Sequence, residues 1–219
     1  MTLPNDMTLD ELRDALAPRI PAHAGFDGWS DKAIAMAAAE LDVPAERARL
    51  AFSDGATDMI AAWFGAIDAD MGKAFPPERA KAMKIRARIA GLVLFRLEAL
   101  RPHREALRRA LSILAMPQNA ALGARLAWRA ADAMWRLALD DATDFNHYSK
   151  RAILIGVYAS TTLVFLDDDS PDLAATKAFL DRRIGDVMKI EKAKAGWRET
   201  RARLPSLSRF LGRLRYPVA

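Results

Sequence analysis

The sequence predicts an all-α fold, and three observations carry that prediction. Residues that open and close helices recur along the whole length of the chain. No stretch alternates apolar and polar residues with the period of two that a half-buried strand requires. With 52% hydrophobic and 28% charged residues over 219 positions, the chain has the proportions of a folded globular protein. That length suits one good-sized core, or a small domain joined to a medium one.

The elements follow in order. Thr8-Leu-Asp-Glu11 is a capping box that opens a short helix, which Pro18 interrupts. Ser30 is placed to cap a helix over 32–41, with Ile34, Ala37, Ala38 and Leu41 on one face. Asp42-Val43-Pro44 breaks it, and proline is well placed to begin the next helix over 45–52. Ser53-Asp54-Gly55 breaks again before a helix capped by Thr57 that carries Met59, Ile60, Trp63, Phe64 and Ile67. These short helices form a compact head over 1–75, and the spacing from Ser30 to Phe52 fits a helix-turn-helix. The Phe-Ser-Asp-Gly that follows resembles the junction of TetR-type heads.

Beyond Pro76-Pro77 a long helix is expected over 78–100, with Ile85, Ile89, Leu92, Val93 and Leu100 inside and a basic start. Pro102 and His103 make a corner, and a helix over 104–115 ends at Met116-Pro117. The helix over 120–139 carries Trp128, Met134 and Trp135, a set that suits either a broad apolar cavity or ordinary core packing. The next begins near Thr143 or Asp144 and runs to Leu166. Its apolar residues point in every direction, as in a helix covered on all sides. One flank is expected to close a cavity and the other a subunit interface. Asp167 to Asp172 reads as a corner with Ser170 as cap and Pro171 at the first helical position, rather than as a metal site. The last long helix, over 172–194, turns Leu173, Phe179, Leu180, Ile184, Val187 and Met188 inward. The resulting hairpin is the expected homodimer element.

Charge is unevenly spread. Residues 189–219 hold nine Lys or Arg against two Glu, which leaves 24 basic against 26 acidic residues for 1–188. Residues 204–218, if helical, gather Leu204, Leu207, Phe210, Leu211, Leu214 and Val218 within one arc, with Arg209 and Arg213 opposite. That is the pattern of an interfacial helix on an anionic membrane surface, the alternative being a helix docked on its own core. The head, by contrast, carries five basic residues against ten acidic ones over 8–64. A duplex reader must neutralise phosphates, so no nucleic-acid partner is expected, although Arg47 and Arg49 are placed where such a reader would use them.

Several chemistries find no support. With no cysteine there is no disulfide or thiolate site, and a cytoplasmic home is the simple reading. His23, His103 and His147 are scattered outside any metal-binding pattern. Neither a phosphate-binding glycine loop nor a nucleophile elbow is present. The expectation is therefore no catalytic residue, no metal and no cofactor. No run reaches the roughly 20 apolar residues of a membrane span.

Four motifs together carry a family resemblance: Ala-Leu-Ser-Ile-Leu-Ala-Met-Pro-Gln-Asn over 110–119, Asp132-Ala-Met-Trp135, Thr-Asp-Phe-Asn-His-Tyr-Ser-Lys-Arg-Ala over 143–152, and Ser170-Pro-Asp172. The chain resembles the ubiquinone (coenzyme Q) biosynthesis accessory lipid-binding protein family, the ninth of the coenzyme Q series. The resemblance covers the chain from about residue 8 and is strongest over 107–195. It implies a TetR-like helical homodimer that has lost DNA binding, holds an isoprenoid quinone precursor in an apolar cavity, and presents it to the hydroxylase acting on demethoxyubiquinone. The cavity would be walled by Trp128, Met134, Trp135, Ile155, Tyr158 and Leu163. The family's partner-binding patch maps to Asp144, Asn146, His147 and Tyr148, with Arg151 one turn on; eukaryotic members carry tryptophan where His147 stands. Three regions are then expected: a degenerate helix-turn-helix head (1–75), a lipid-binding and dimerisation domain (76–195) and a membrane-surface helix (196–219). The missing transit segment points to the inner face of a bacterial cytoplasmic membrane. A TetR-type repressor sensing an apolar ligand is the alternative function, and a scaffold whose cavity is only core is a third.

Overall fold

The computed structural model describes residues 6–140 and 145–203, with side chains over 6–140 and 147–189. Among the described residues every regular element is helical. The helices are α1 (Leu9–Leu16), α2 (Ile20–Asp27), α3 (Asp31–Ala39), α4 (Ala45–Leu50), α5 (Ala56–Ala74), α6 (Pro77–Lys81), α7 (Ile85–Leu100), α8 (Arg104–Leu114), α9 (Ala120–Leu137), α10 (Phe145–Leu166) and α11 (Ala174–Arg203). The chain divides into two compact units, Met1–Leu180 and Asp181–Ala219. The first contains all the contacts that build the site.

Most punctuation acts as the sequence predicts. The Thr8 hydroxyl accepts from the Glu11 amide while the Glu11 carboxylate accepts from the Thr8 amide, so both halves of the capping box close. Asp42 and Gly55 both take positive φ, 54° and 62°, at the breaks before α4 and α5. The Arg101–His103 turn makes the expected corner into α8.

Several elements differ. Residues 20–27, with Pro21 and Gly25 in so short a run, carry little helical propensity, yet they form α2. Packing against α3 and α8 holds it there, and the Trp29 indole reinforces the contact by donating to Ala106 O at 3.0 Å. Ser30 and Thr57 do not cap through their hydroxyls, which donate instead to Asp27 O and Asp54 O. The long helix expected over 78–100 is split between α6 and α7. Lys84 is extended there (φ −68°, ψ 148°), at a point where Arg79, Lys81, Lys84, Arg86 and Arg88 crowd like charge around a helix N-terminus. Ile85, the first residue of α7, is exposed rather than inside, and so is Met188 in α11.

The α10 helix is not covered on all sides within one chain. Leu154, Val157, Phe165 and Leu166 are buried, but Tyr148, Ala152, Gly156, Ala159 and Leu163 leave a stripe exposed. By length and composition His147–Leu166 would suffice to cross a bilayer. In the fold it packs on α9 and α7, with Arg151, Thr161 and Thr162 among its buried residues.

The corner after α10 explains the three adjacent aspartates. Asp167 pairs with Arg108 and Asp169 with Arg104, both at the surface, while Asp168 turns inward. Its carboxylate accepts from the amides and hydroxyls of Ser170 and Thr176. Burial alone would raise this carboxyl, but the four hydrogen bonds outweigh it and hold the group well below the usual carboxylate range.

Candidate functional site

A cavity of about 270 Å³ lies among five helices. Phe64 of α5, Arg96 of α7, and Leu107, Leu111 and Leu114 of α8 form one side; Gly123, Leu126, Ala127 and Ala130 of α9 and Ile155, Tyr158, Ala159, Thr162 and Leu163 of α10 form the other. Its origin can be read from α9. Gly123, Ala127 and Ala130 recur at i, i+4 and i+7 and so share one face, where they leave space that larger side chains would fill. The α8 helix approaches closely enough at this face that a Cβ on Gly123 would sit 3.2 Å from Leu114 O. Of its lining residues Ala159 and Leu163 are exposed, Leu163 at 64%.

The structure brings Ile155, Tyr158 and Leu163 to the wall and leaves Trp128, Met134 and Trp135 off it. Trp128 and Trp135 are seven residues apart and fall on a different stripe of α9 from the small-residue face. Trp128 meets the Tyr148 ring at 6.0 Å, and the Trp135 indole donates to Lys150 O at 3.1 Å. Both tryptophans thus fasten the start of α10 to α9. Met134 is wholly buried in the core, beyond the end of the cavity. The small residues carry the missed signal: a cavity is marked by what is absent from a helix face, not by large groups nearby.

The cavity has one polar end. Arg96 is 1% exposed, pairs with Asp68, and donates from Nε to the Tyr158 hydroxyl at 3.2 Å. The Arg129 guanidinium also approaches Asp68, at 3.5 Å. Burial, and then the neighbouring Arg96 charge, push Arg129 below its usual value.

Of the expected partner patch, Tyr148 is 62% exposed and its ring lies 5.1 Å from that of a half-buried His147. Arg151 is different. Only 2% of its side chain is exposed, and its guanidinium donates to Asp132 at 2.7 Å and to His147 O at 3.1 Å. It positions the first turns of α10 instead of presenting its charge to a partner. Asp144 and the Asn146 side chain lie outside the described residues, as do all the expected membrane residues, Leu204, Leu207, Arg209, Phe210, Leu211, Arg213 and Leu214.

In the head, Arg49 pairs with Asp31 and Glu46, Arg47 donates to Met7 O, and Arg13 pairs with Asp58. Among the described residues no group of three or more His, Asp or Glu is placed to hold a metal ion.

A solved TetR transcriptional regulator from Nitrosomonas europaea superposes with a TM-score of 0.64 at 22% identity, covering 79% of this chain and 95% of that one. At that identity the likeness shows the fold alone: an all-α TetR-like architecture. The COQ9 family model matches residues 120–191, which take in α9, α10 and the corner to α11. The ubiquinone biosynthesis protein COQ9, mitochondrial, of Rattus norvegicus is 36% identical over 176 residues, 77% of this chain and 55% of that protein. Its Homo sapiens counterpart is 34% identical over the same share of this chain and 54% of its own length, and a probable Dictyostelium discoideum counterpart is 27% identical. The chain therefore spans about half the length of the curated relatives it matches. All three relatives are named mitochondrial, which overturns the expected bacterial cytoplasmic membrane and points to mitochondria. On the family-model match and these identities together, the chain belongs to the COQ9 family.

Proposed function

We propose that this chain is a lipid-binding accessory protein of ubiquinone biosynthesis. It would hold an isoprenoid quinone precursor at a membrane surface and present it to the demethoxyubiquinone hydroxylase. Family membership supports the pathway, since the relatives are named ubiquinone biosynthesis proteins. The observation that carries the lipid reading is the apolar cavity between α8, α9 and α10. Drug-sized ligands occupy pockets of roughly 300–1,000 Å³, so a cavity of about 270 Å³ suits one end of a long isoprenoid, the rest emerging beside Leu163. Burying about 200 Å² of such a ligand contributes about 5 kcal/mol at 25 cal/mol per Å².

Homodimerisation through α10 and α11, and attachment to anionic lipid through residues 204–218, belong to the same proposal. The exposed Ala152 and Gly156 of α10 support the first, and the arginine-rich apolar pattern of the tail supports the second. Tyr148, beside His147 at the start of α10, is the group this reading offers to the hydroxylase.

Organic extraction of the full chain purified from ubiquinone-producing cells, followed by mass spectrometry, tests the proposal. An isoprenoid lipid present in near-stoichiometric amount is expected. A preparation free of isoprenoids, and unable to take one up when offered it, would overturn the reading.

A further inference from the structure

Of the fourteen residues lining the cavity, only Arg96, Tyr158 and Thr162 carry polar side-chain atoms. Thr162 has spent its proton within α10, where its hydroxyl donates to Tyr158 O at 2.8 Å. Arg96 is committed to Asp68 and Tyr158. A guanidinium can only donate, so in the Arg96–Tyr158 hydrogen bond the phenol oxygen accepts. The phenol's own proton then has no acceptor among the described residues, on a side chain that lines an otherwise apolar chamber.

We infer that Tyr158, oriented by Arg96, selects ligands by their head, donating its phenolic proton to an accepting oxygen on an amphiphile whose apolar body fills the rest of the cavity. The inference rests on the lipid-binding reading and adds to it an orientation and a head chemistry. Two arrangements hold Tyr158 in place: the hydrogen bond from Arg96 Nε, and the guanidinium carbon 5.3 Å from its ring centroid. Behind it, Arg96 and Arg129 share the single carboxylate of Asp68, so this end of the cavity carries a positive excess. A donor polarised by a cation favours an oxygen bearing partial negative charge, such as a quinone carbonyl, over a hydrocarbon end. Arg96 is buried and Leu163 is exposed. The oxygen-bearing head therefore lies inward while the ligand is held, with the tail leaving past Leu163, and the head reaches the hydroxylase only as the ligand leaves the cavity.

The test uses the full chain, stripped of lipid, titrated with two probes of matched size: a benzoquinone bearing a three-isoprene chain, and a benzene bearing the same chain. The unmodified chain is expected to prefer the quinone by at least about fivefold, the order supplied by one hydrogen bond. Tyr158→Phe, which removes one oxygen, is expected to bind the benzene probe as before and to lose the preference. A purely structural Tyr158 would lower thermal stability in that variant without moving the ratio between the probes, and that result overturns the inference. Equal affinity of the unmodified chain for both probes overturns it as well, whether or not the variant folds, and leaves lipid binding intact. If neither probe binds the unmodified chain, the lipid reading fails first and the inference with it.

Discussion

Asp132 receives two guanidinia in opposite settings. Arg151 is 2% exposed and Arg136 76% exposed, so one carboxylate makes both a buried and a surface ion pair. The buried pair dominates, because removing its acceptor leaves the desolvated Arg151 with only the more distant Asp140, at 3.9 Å, as counter-charge, whereas the surface pair exchanges with water. Asp132→Ala is expected to cost about 3 kcal/mol in urea unfolding, and Arg136→Ala less than about 1 kcal/mol. Comparable losses would show that Arg151 is not the anchor of α10. Asp168 supplies a pH-dependent counterpart. Its folded-state pKa lies below the unfolded value of about 3.9, so its stabilisation is fully present above about pH 4 and is lost as pH falls toward the folded value. Asp168→Asn is expected to be less stable than the parent at pH 7, with the gap narrowing at pH 3. A gap independent of pH would mean that charge is not what the Ser170 and Thr176 hydrogen bonds recognise.

At the scale of elements, legibility followed local chemistry. The capping box at Thr8 and the corner at Pro102 are written in adjacent residues and could be read directly, whereas the helix expected from 172 opens only at Ala174, after positive φ at Asp172 and Leu173. The α2 helix was not legible, because it stands on contacts with α3 and α8 and not on propensity. The cavity wall was half legible. Apolar residues all around α10 pointed to Ile155, Tyr158 and Leu163, but the tryptophans of α9 drew attention from its small-residue face. Arg96 could not be found from sequence, since one arginine in a helix with a basic start gives no sign that it is buried. Filling that face tests its role: Ala127→Leu is expected to remove the cavity volume at a stability cost of no more than about 3 kcal/mol. The tail has its own test in liposome flotation. Deletion of 204–219 is expected to abolish recovery with anionic vesicles, and unchanged recovery would end the membrane proposal for that segment.

For the whole molecule, the TetR-like fold was legible from the helix-turn-helix spacing and the motifs over 110–172, and the family followed. The expected bacterial location is overturned by relatives named mitochondrial. Assembly is testable through Gly156, where an added Cβ meets nothing within 4 Å in one chain. The parent is expected to run as a dimer in light scattering and Gly156→Arg as a folded monomer; a monomeric parent at micromolar concentration would remove the dimer proposal. The central claim, that the cavity holds a lipid, is tested most directly by native mass spectrometry of the full chain beside Ala127→Leu. The account predicts one isoprenoid adduct per chain in the parent and none in the folded variant. Equal adducts in both, or none in either, would contradict it.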